Sequence, residues 1–410
     1  VPALAADAVT YKGTVGKIPI IFERADGTDS GKFAARYAYM SKGVDIPLHG
    51  TLDLEDRLMM EEEAPCTEKT CKNAEGDILE TPPIGADWTL ESSSDGQQLK
   101  GTWTDRKSGK SLPVVLDRVG SRPLGSSSGE SIDDLDPALA TLSALSIVTP
   151  KDLPYDFLKL EHEIDKGAET QLHGATIRME SDPFTGTTYP TILKLPGADT
   201  AAINTYLEQQ WLQLQFNPYN CKSRLYLGYG WFGGGSDGSN GFWDDGPQVT
   251  IDYLSTRLLG LSESGSFYCG GAYPHHFVDY HFAEVETGKP LLAESLLKGF
   301  VLKNSNGEDV DPGKVGKDEY VRYRPNAELV GFVNAHREKA DASAEESCEA
   351  EMETLILTNL GVYFTKDELV FNLKELPHVV FACGDDLVRV PWKNAQPLLN
   401  ERGVRLLLGG

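Results

Sequence analysis

Gly31-Lys32-Phe33-Ala34-Ala35-Arg36-Tyr37-Ala38-Tyr39-Met40-Ser41 decides the fold of the N-terminal part of the chain. Phe33, Ala35, Tyr37 and Tyr39 fall on every second position, so a strand would send all four to one buried face. Similar short apolar-alternating segments surround it: Lys17 to Arg24, Asp45 to Leu54, Arg57 to Glu63, Asp87 to Ser92, Leu99 to Asp105 and Leu112 to Leu116. Gly, Asp and Ser turns separate them, and Ala25-Asp26-Gly27-Thr28 and Ser94-Asp95-Gly96 suit tight hairpins. A series of this kind predicts an all-β antiparallel barrel or sandwich over residues 10–118.

Outward from this region the composition changes. Val1-Pro2-Ala3-Leu4-Ala5-Ala6-Asp7-Ala8 reads as the small-residue end of a signal peptide, or as a trimmed Ala-rich start, so 1–9 is assigned to an N-terminal tail. Residues 119–137 are rich in Gly, Ser and acidic residues, with too little apolar content to pack, and read as a linker. Beyond it, helical and strand patterns alternate, predicting an α+β domain over 138–410. Ile203, Leu207, Trp211, Leu214 and Phe216 recur three or four apart, which predicts a core helix over Asp199 to Phe216. A second helix is expected from Asn326 to about Ala344. Strands are expected at Gln248 to Leu254, Tyr280 to Glu286, Met352 to Leu357, Gly361 to Phe364, Val379 to Phe381 and Leu387 to Val390. No fixed-period repeat is evident.

The chain has 410 residues, 40% of them hydrophobic and 24% charged, enough for two domains with substantial cores. It holds no apolar run of about 18 residues, so no membrane span is expected. A formal net charge of −24 disfavours nucleic-acid phosphates and would steer a cationic protein toward the surface, or serve solubility alone. Six cysteines in an exported chain suggest disulfides, and a periplasmic or secreted location follows from that reading. Cys66 with Cys71, Cys221 with Cys269, and Cys348 with Cys383 are the expected pairs, although four cysteines in the second half allow three connectivities. No CxxC is present, and no His is spaced from a Cys as zinc requires, so neither metal nor cofactor is expected.

Several segments carry chemistry-bearing residues. His275, His276 and His281 with Glu284 offer a metal or acid-base vocabulary, or are surface histidines near a turn. Tyr226 to Trp243 sets glycines between aromatic ends, and could be an adaptable recognition loop or a hairpin whose aromatics enter the core. Asp237, Asn240, Asp244 and Asp245, and separately Asn304, Asn306, Glu308, Asp309 and Asp311, offer oxygen ligands of the calcium type or Asx turns. No GxSxG elbow occurs, Cys269 reads as a disulfide partner rather than a nucleophile, and 62 acidic residues make a carboxylate pair uninformative.

Tyr189-Pro190-Thr191-Ile192 before the expected helix, then Ser266-Phe267-Tyr268-Cys269-Gly270-Gly271-Ala272-Tyr273-Pro274, resembles the RsiV-like extracytoplasmic domain family. Phe282 to Thr287, Gly288-Lys289-Pro290, Leu291 to Gly299 as a helix, Gly361-Val362-Tyr363-Phe364, and Gly384 through Val390-Pro391-Trp392 extend the resemblance over roughly residues 155–395. That family includes lysozyme-sensing anti-sigma factor ectodomains and accessory regions of peptidoglycan deacetylases. Neither an anti-sigma segment nor a deacetylase domain lies within these residues, and Tyr273 stands where the family tends to have His. The resemblance implies an exported, non-enzymatic cell-envelope protein that binds a lysozyme-like muramidase or another peptidoglycan-associated protein. A periplasmic immunity protein against a delivered toxin and a cell-wall glycan binder or hydrolase are the alternatives. The expected contact residues are Tyr229, Trp231, Phe232, Phe242, Trp243, Tyr273, His275 and His276.

Overall fold

The structure, a computed structural model, describes the chain except for residues 1–6, 27–31, 53–56, 66–69, 71, 78, 80, 124–148, 228–246, 268–274, 317–319, 338–345, 377, 385 and 410. Strands β1 (Asp7–Val15), β2 (Ile18–Asp26), β3 (Lys32–Tyr39), β4 (Ile46–Leu52), β5 (Leu58–Glu63), β6 (Ile84–Ser92), β7 (Gln98–Asp105) and β8 (Ser111–Pro123) follow one another around a closed antiparallel barrel. Of the two architectures expected, the barrel is the one formed. Alternation works as read: Phe33, Ala35 and Tyr37 are buried with Phe22, Leu48, Trp88 and Leu116 in its interior. Val15 pairs with Ile18 across a two-residue turn, and Gly16 supplies the positive φ of 62° that such a turn needs.

Two boundaries change. The expected tail over 1–9 yields its last residues to β1, because Ala8 and Val9 pair with both β2 and β8 and close the barrel. The expected linker yields residues 119–123 to β8, where Arg122 and Pro123 still pair with β1. The rest of that linker lies outside the described residues.

The second half begins with the short helix α1 (Pro154–Leu158), opened by a proline that is pre-set for a helix start. A sheet of β9 (Asp165–Leu172), β10 (Ala175–Ser181) and β11 (Thr188–Lys194) follows, then the long helix α2 (Ala201–Leu227). Ile203, Leu207 and Leu214 of α2 are buried against Ile192, Leu259, Leu261 and Ala283, as their spacing predicts, but the helix continues past Phe216 and through Pro218. Strands β12 (Gln248–Leu254), β13 (Leu258–Phe267), β14 (His275–Glu284) and the two-residue β15 (Pro290–Leu291) form a meander. A hairpin of β16 (Phe300–Asn304) and β17 (Val321–Pro325) precedes helix α3 (Ala327–His336), whose N-cap Asn326 accepts the Leu329 N–H at 2.9 Å. Helix α4 (Glu346–Asn359) and a sheet of β18 (Leu360–Phe364), β19 (Glu368–Leu373) and β20 (Asp386–Pro391) complete the largest core.

Three expectations fail here, each through the ambiguity of short apolar runs. Met352 to Leu357, expected as a strand, lies within α4, where Met352, Leu355 and Ile356 take the three-to-four spacing of a helix face. Val379 to Phe381, also expected as a strand, belongs to a 3-10 turn over His378–Cys383. The helix expected from Leu291 to Gly299 is a single 3-10 turn, Ala293–Leu296.

The barrel joins the rest of the molecule through α1, which covers the outer face of β2 and β3. Ile21, Ala38 and Tyr155 are fully buried there. Beside them lies a six-charge network. Arg36 reaches Glu23 (2.9 Å), Asp45 (3.0 Å) and Asp156 (3.3 Å). Arg122 donates to Glu23 at 2.8 Å, and Lys159 sits 2.5 Å from Asp45. The Arg36 guanidinium also lies 4.1 Å from the Tyr155 ring centre, and Tyr155 donates to Asp45 at 2.8 Å. Further along the joint, Tyr219 of α2 fills the space beside Gly43, where any Cβ would meet its ring at 2.1 Å.

Candidate functional site

Strand β14 is the spine of the candidate site, and a cavity opens at each end of it. At its start, His276, Phe277, Val278, Asp279 and Tyr280 face Asn372, Leu373, Lys374, Glu375, Leu376, Phe381 and Gly384 across a groove of about 610 Å³. The pleat of a strand presents neighbouring side chains to opposite faces, so both faces of β14 contribute. Val278 is 41% exposed and offers its aliphatic surface to the groove. His276 stacks near Phe381 with ring centres 5.6 Å apart. Tyr280 lies flat on Tyr363 at 4.3 Å, and Tyr363 donates to both carboxylate oxygens of Asp386 at 3.0 Å. Burial, helped by Asp386 and Asp252, pushes the Tyr280 hydroxyl up to about 12, so it remains a neutral donor and acceptor.

The opposite wall is held in place from behind. Cys348 of α4 is bonded to Cys383, fixing the 3-10 turn that carries Phe381, and this is one of the expected disulfide pairs. Lys374 is paired with Glu294, and Glu375 with Arg322 at 3.0 Å. Glu375 has φ of 54°, a left-handed conformation uncommon for a residue with a Cβ. Such conformations persist where the surroundings enforce them, and they concentrate at binding surfaces.

At the other end of β14, Tyr206, Tyr280, His281, Phe282, Pro290, Leu291, Leu292, Ser295, Tyr323 and Arg402 line a cavity of about 440 Å³. A chain of polar groups runs to it through the protein. Tyr189 of β11 donates to one oxygen of Glu263 at 2.7 Å, and His281 Nε2 lies 3.3 Å from the other, close enough for an ion pair but not aligned as a hydrogen bond. Burial would drive the imidazole toward its neutral form, but the Glu263 carboxylate outweighs it and holds its pKa above the ordinary histidine value. Burial and the same carboxylate push the Tyr189 and Tyr206 hydroxyls far up, so both stay protonated.

The histidine group expected from sequence is therefore divided. His276 belongs to the groove, His281 to the cavity, and neither is a turn residue, because both lie within β14. Glu284 pairs with Arg402 at 2.7 Å rather than with a histidine. Glu263 is the carboxylate that serves His281, and sequence reading passed over it. Its signal was available: Leu259, Leu261 and Glu263 share one face of β13, so a charge stands at a core position.

Asn304 to Asp311 forms Asx turns. The Asn304 carboxamide accepts the Asn306 and Glu308 N–H groups, each at 3.0 Å, Asp311 accepts from Gly313, and Asp309 pairs with Lys303. These oxygens are committed to protein donors. Among the described residues no three His, Cys, Asp or Glu side chains converge as a metal site requires. No helix there is long and apolar enough to cross a membrane. Tyr229, Trp231, Phe232, Phe242, Trp243 and Tyr273, the calcium candidates Asp237, Asn240, Asp244 and Asp245, and Cys66, Cys71 and Cys269 lie outside the described residues. The same holds for the side chains of His275 and Cys221.

No protein-family model matches the chain, and no curated protein does.

Proposed function

We propose that this protein is an exported binding protein of the cell envelope, periplasmic or secreted, that takes a protein partner into the groove at the start of β14. One observation carries the reading. The groove brings His276 to Tyr280, which lie in sequence between two segments of the RsiV-like resemblance, Ser266 to Pro274 and Phe282 to Thr287, together with Gly384, the first residue of another. On this reading the barrel from Asp7 to Pro123 is one domain and 138–410 an α+β second, and the aromatic-flanked glycine segment Tyr226 to Trp243 takes part in recognition. The partner class implied by the resemblance is a lysozyme-like muramidase or another peptidoglycan-associated protein.

The surface chemistry supports a basic partner. Exposed Val278, Phe277 and Phe381 contribute apolar surface to the groove, Asp279 lies in the same opening, and the net charge of −24 would accelerate encounter with a cation. The test is binding of the full chain to a muramidase such as hen egg-white lysozyme at low ionic strength, by calorimetry and by inhibition of cell-wall lysis. Complex formation that weakens with salt, and at least tenfold with Val278→Asp, is the expected result. Absence of both complex and inhibition would end the muramidase version.

A further inference from the structure

The cavity at the far end of β14 offers chemistry that the groove does not use, and its inventory points to one class of ligand. Two of its cations are already matched. His281 faces Glu263 at 3.3 Å and Arg402 pairs with Glu284 at 2.7 Å, so the cavity has no surplus positive charge to hold an anion. Its spare capacity is in neutral hydroxyls. Tyr206 is only 7% exposed yet lines the cavity, and among the described residues neither its hydroxyl nor that of Tyr323 has a hydrogen-bond partner. Neither hydroxyl is among the sealed unpartnered atoms, so both are accessible, and water or a ligand can complete them.

The rest of the lining is mainly apolar. Pro290, Leu291 and Phe282 line the cavity as well, and Leu292, also in the lining, is 57% exposed. A ligand that meets phenol hydroxyls together with aliphatic and aromatic side chains must itself be amphipathic, with hydroxyls at its edge and C–H groups on its face. The volume of about 440 Å³ lies in the range of small-molecule sites. We propose that this cavity is a binding site for a neutral sugar of one or two rings, with Tyr206, Tyr323 and His281 addressing its hydroxyls and Pro290 and Leu291 its face. The Tyr189–Glu263 pair fixes the imidazole in position.

The inference does not rest on the groove or on any protein partner. The experiment uses the full chain with four probes, glucose, N-acetylglucosamine, cellobiose and chitobiose, by saturation-transfer NMR and titration. At least one is expected to bind. Tyr206→Phe and Tyr323→Phe keep the rings and remove the hydroxyls, so each is expected to weaken binding roughly threefold to tenfold. Leu292→Trp, at this exposed position of the lining, is expected to block the cavity without disturbing the core. Binding of none of the four probes would overturn the proposal. So would unchanged binding in Leu292→Trp, or tighter binding of glucuronate or glucosamine than of the neutral sugars. Val278→Asp, which tests the groove, leaves this cavity untouched, so the two readings can fail separately.

Discussion

The charges at the joint between barrel and α1 and the charges behind the β14 cavity use the same side-chain vocabulary in two different settings. At the joint, three acids and three bases are sealed: Glu23, Arg36 and Asp156 have no exposure at all. Burial would push Glu23 and Asp45 up, but Arg36 with Arg122, and Lys159 with Arg36, bring both below their ordinary values. Asp156 is the weak member. Its burial outweighs Arg36 and Lys159, its carboxyl is raised, and one of its oxygens has no hydrogen bond. Behind the cavity, Glu263 is buried while its partner His281 keeps 28% of its side chain exposed to the opening. A sealed, balanced network can only hold elements together. A pair with one member open to a cavity can also meet a ligand.

The largest effect should come from breaking the sealed site. Arg36→Met leaves Glu23, Asp45 and Asp156 without their shared cation, and removing one partner of a buried ion pair costs about 3–5 kcal/mol. Chemical denaturation should show that loss, and a change below about 1 kcal/mol would mean that the joint is not sealed in solution. Because Glu23 and Asp45 have lowered pKa values, their contribution is present above the ordinary carboxylate range and is lost as pH falls through their folded values. Acid unfolding of the native chain should therefore begin at this joint, and hydrogen exchange in β2, β3 and α1 would show it.

A smaller effect is expected inside the barrel, where a lone carboxylate has neutral partners. Glu62 accepts the indole N–H groups of Trp88 (2.8 Å) and Trp103 (2.7 Å), and burial raises its pKa despite those bonds. Glu62→Leu should cost about 1–3 kcal/mol by leaving the buried Trp88 N–H without an acceptor. Glu62→Gln, which keeps an acceptor, should cost less, and the reverse order would show that the charge itself stabilises the barrel.

The smallest change in stability belongs to the open pair. His281→Gln should alter stability by under about 1 kcal/mol, since partial exposure screens the interaction. The sign is set by the raised histidine pKa: the stabilisation is complete below the ordinary value of 6.5 and fades as pH rises through the folded value. Denaturation of native and variant chains at pH 5 and pH 8 should differ more at pH 5. An equal difference at both would separate His281 from Glu263.

The barrel was legible because period-two alternation is local: Phe33, Ala35 and Tyr37 lie within a few residues of one another. β1 was not, since Ala8 and Val9 look like the end of a leader until strands on both sides claim them. Arg36 lay in the very stretch that revealed the barrel, yet its burial was invisible. Alternation places it outward, and outward means solvent unless another element covers it. That element, α1, is more than a hundred residues away, as is Asp156 from Arg36. Glu263 was hidden for the same reason, since its partners Tyr189 and His281 come from other strands. The groove was partly legible, because His276 marked one wall, whereas Asn372 to Glu375 carried no motif.

The pairing of β1 with β8 also bears on how such a chain could be assembled by recombination. Asp7 stands opposite Pro123, so the chain enters and leaves the barrel side by side, one strand spacing apart. A closed unit of this kind has no sheet edge to leave bare, and its two ends can be rejoined to almost any neighbour without stretching the backbone. The price of that freedom is the Arg36 cluster: another neighbour would have to supply an acid at the place of Asp156 and a base at that of Lys159. The barrel is thus portable in its backbone but tied to α1 by its charges.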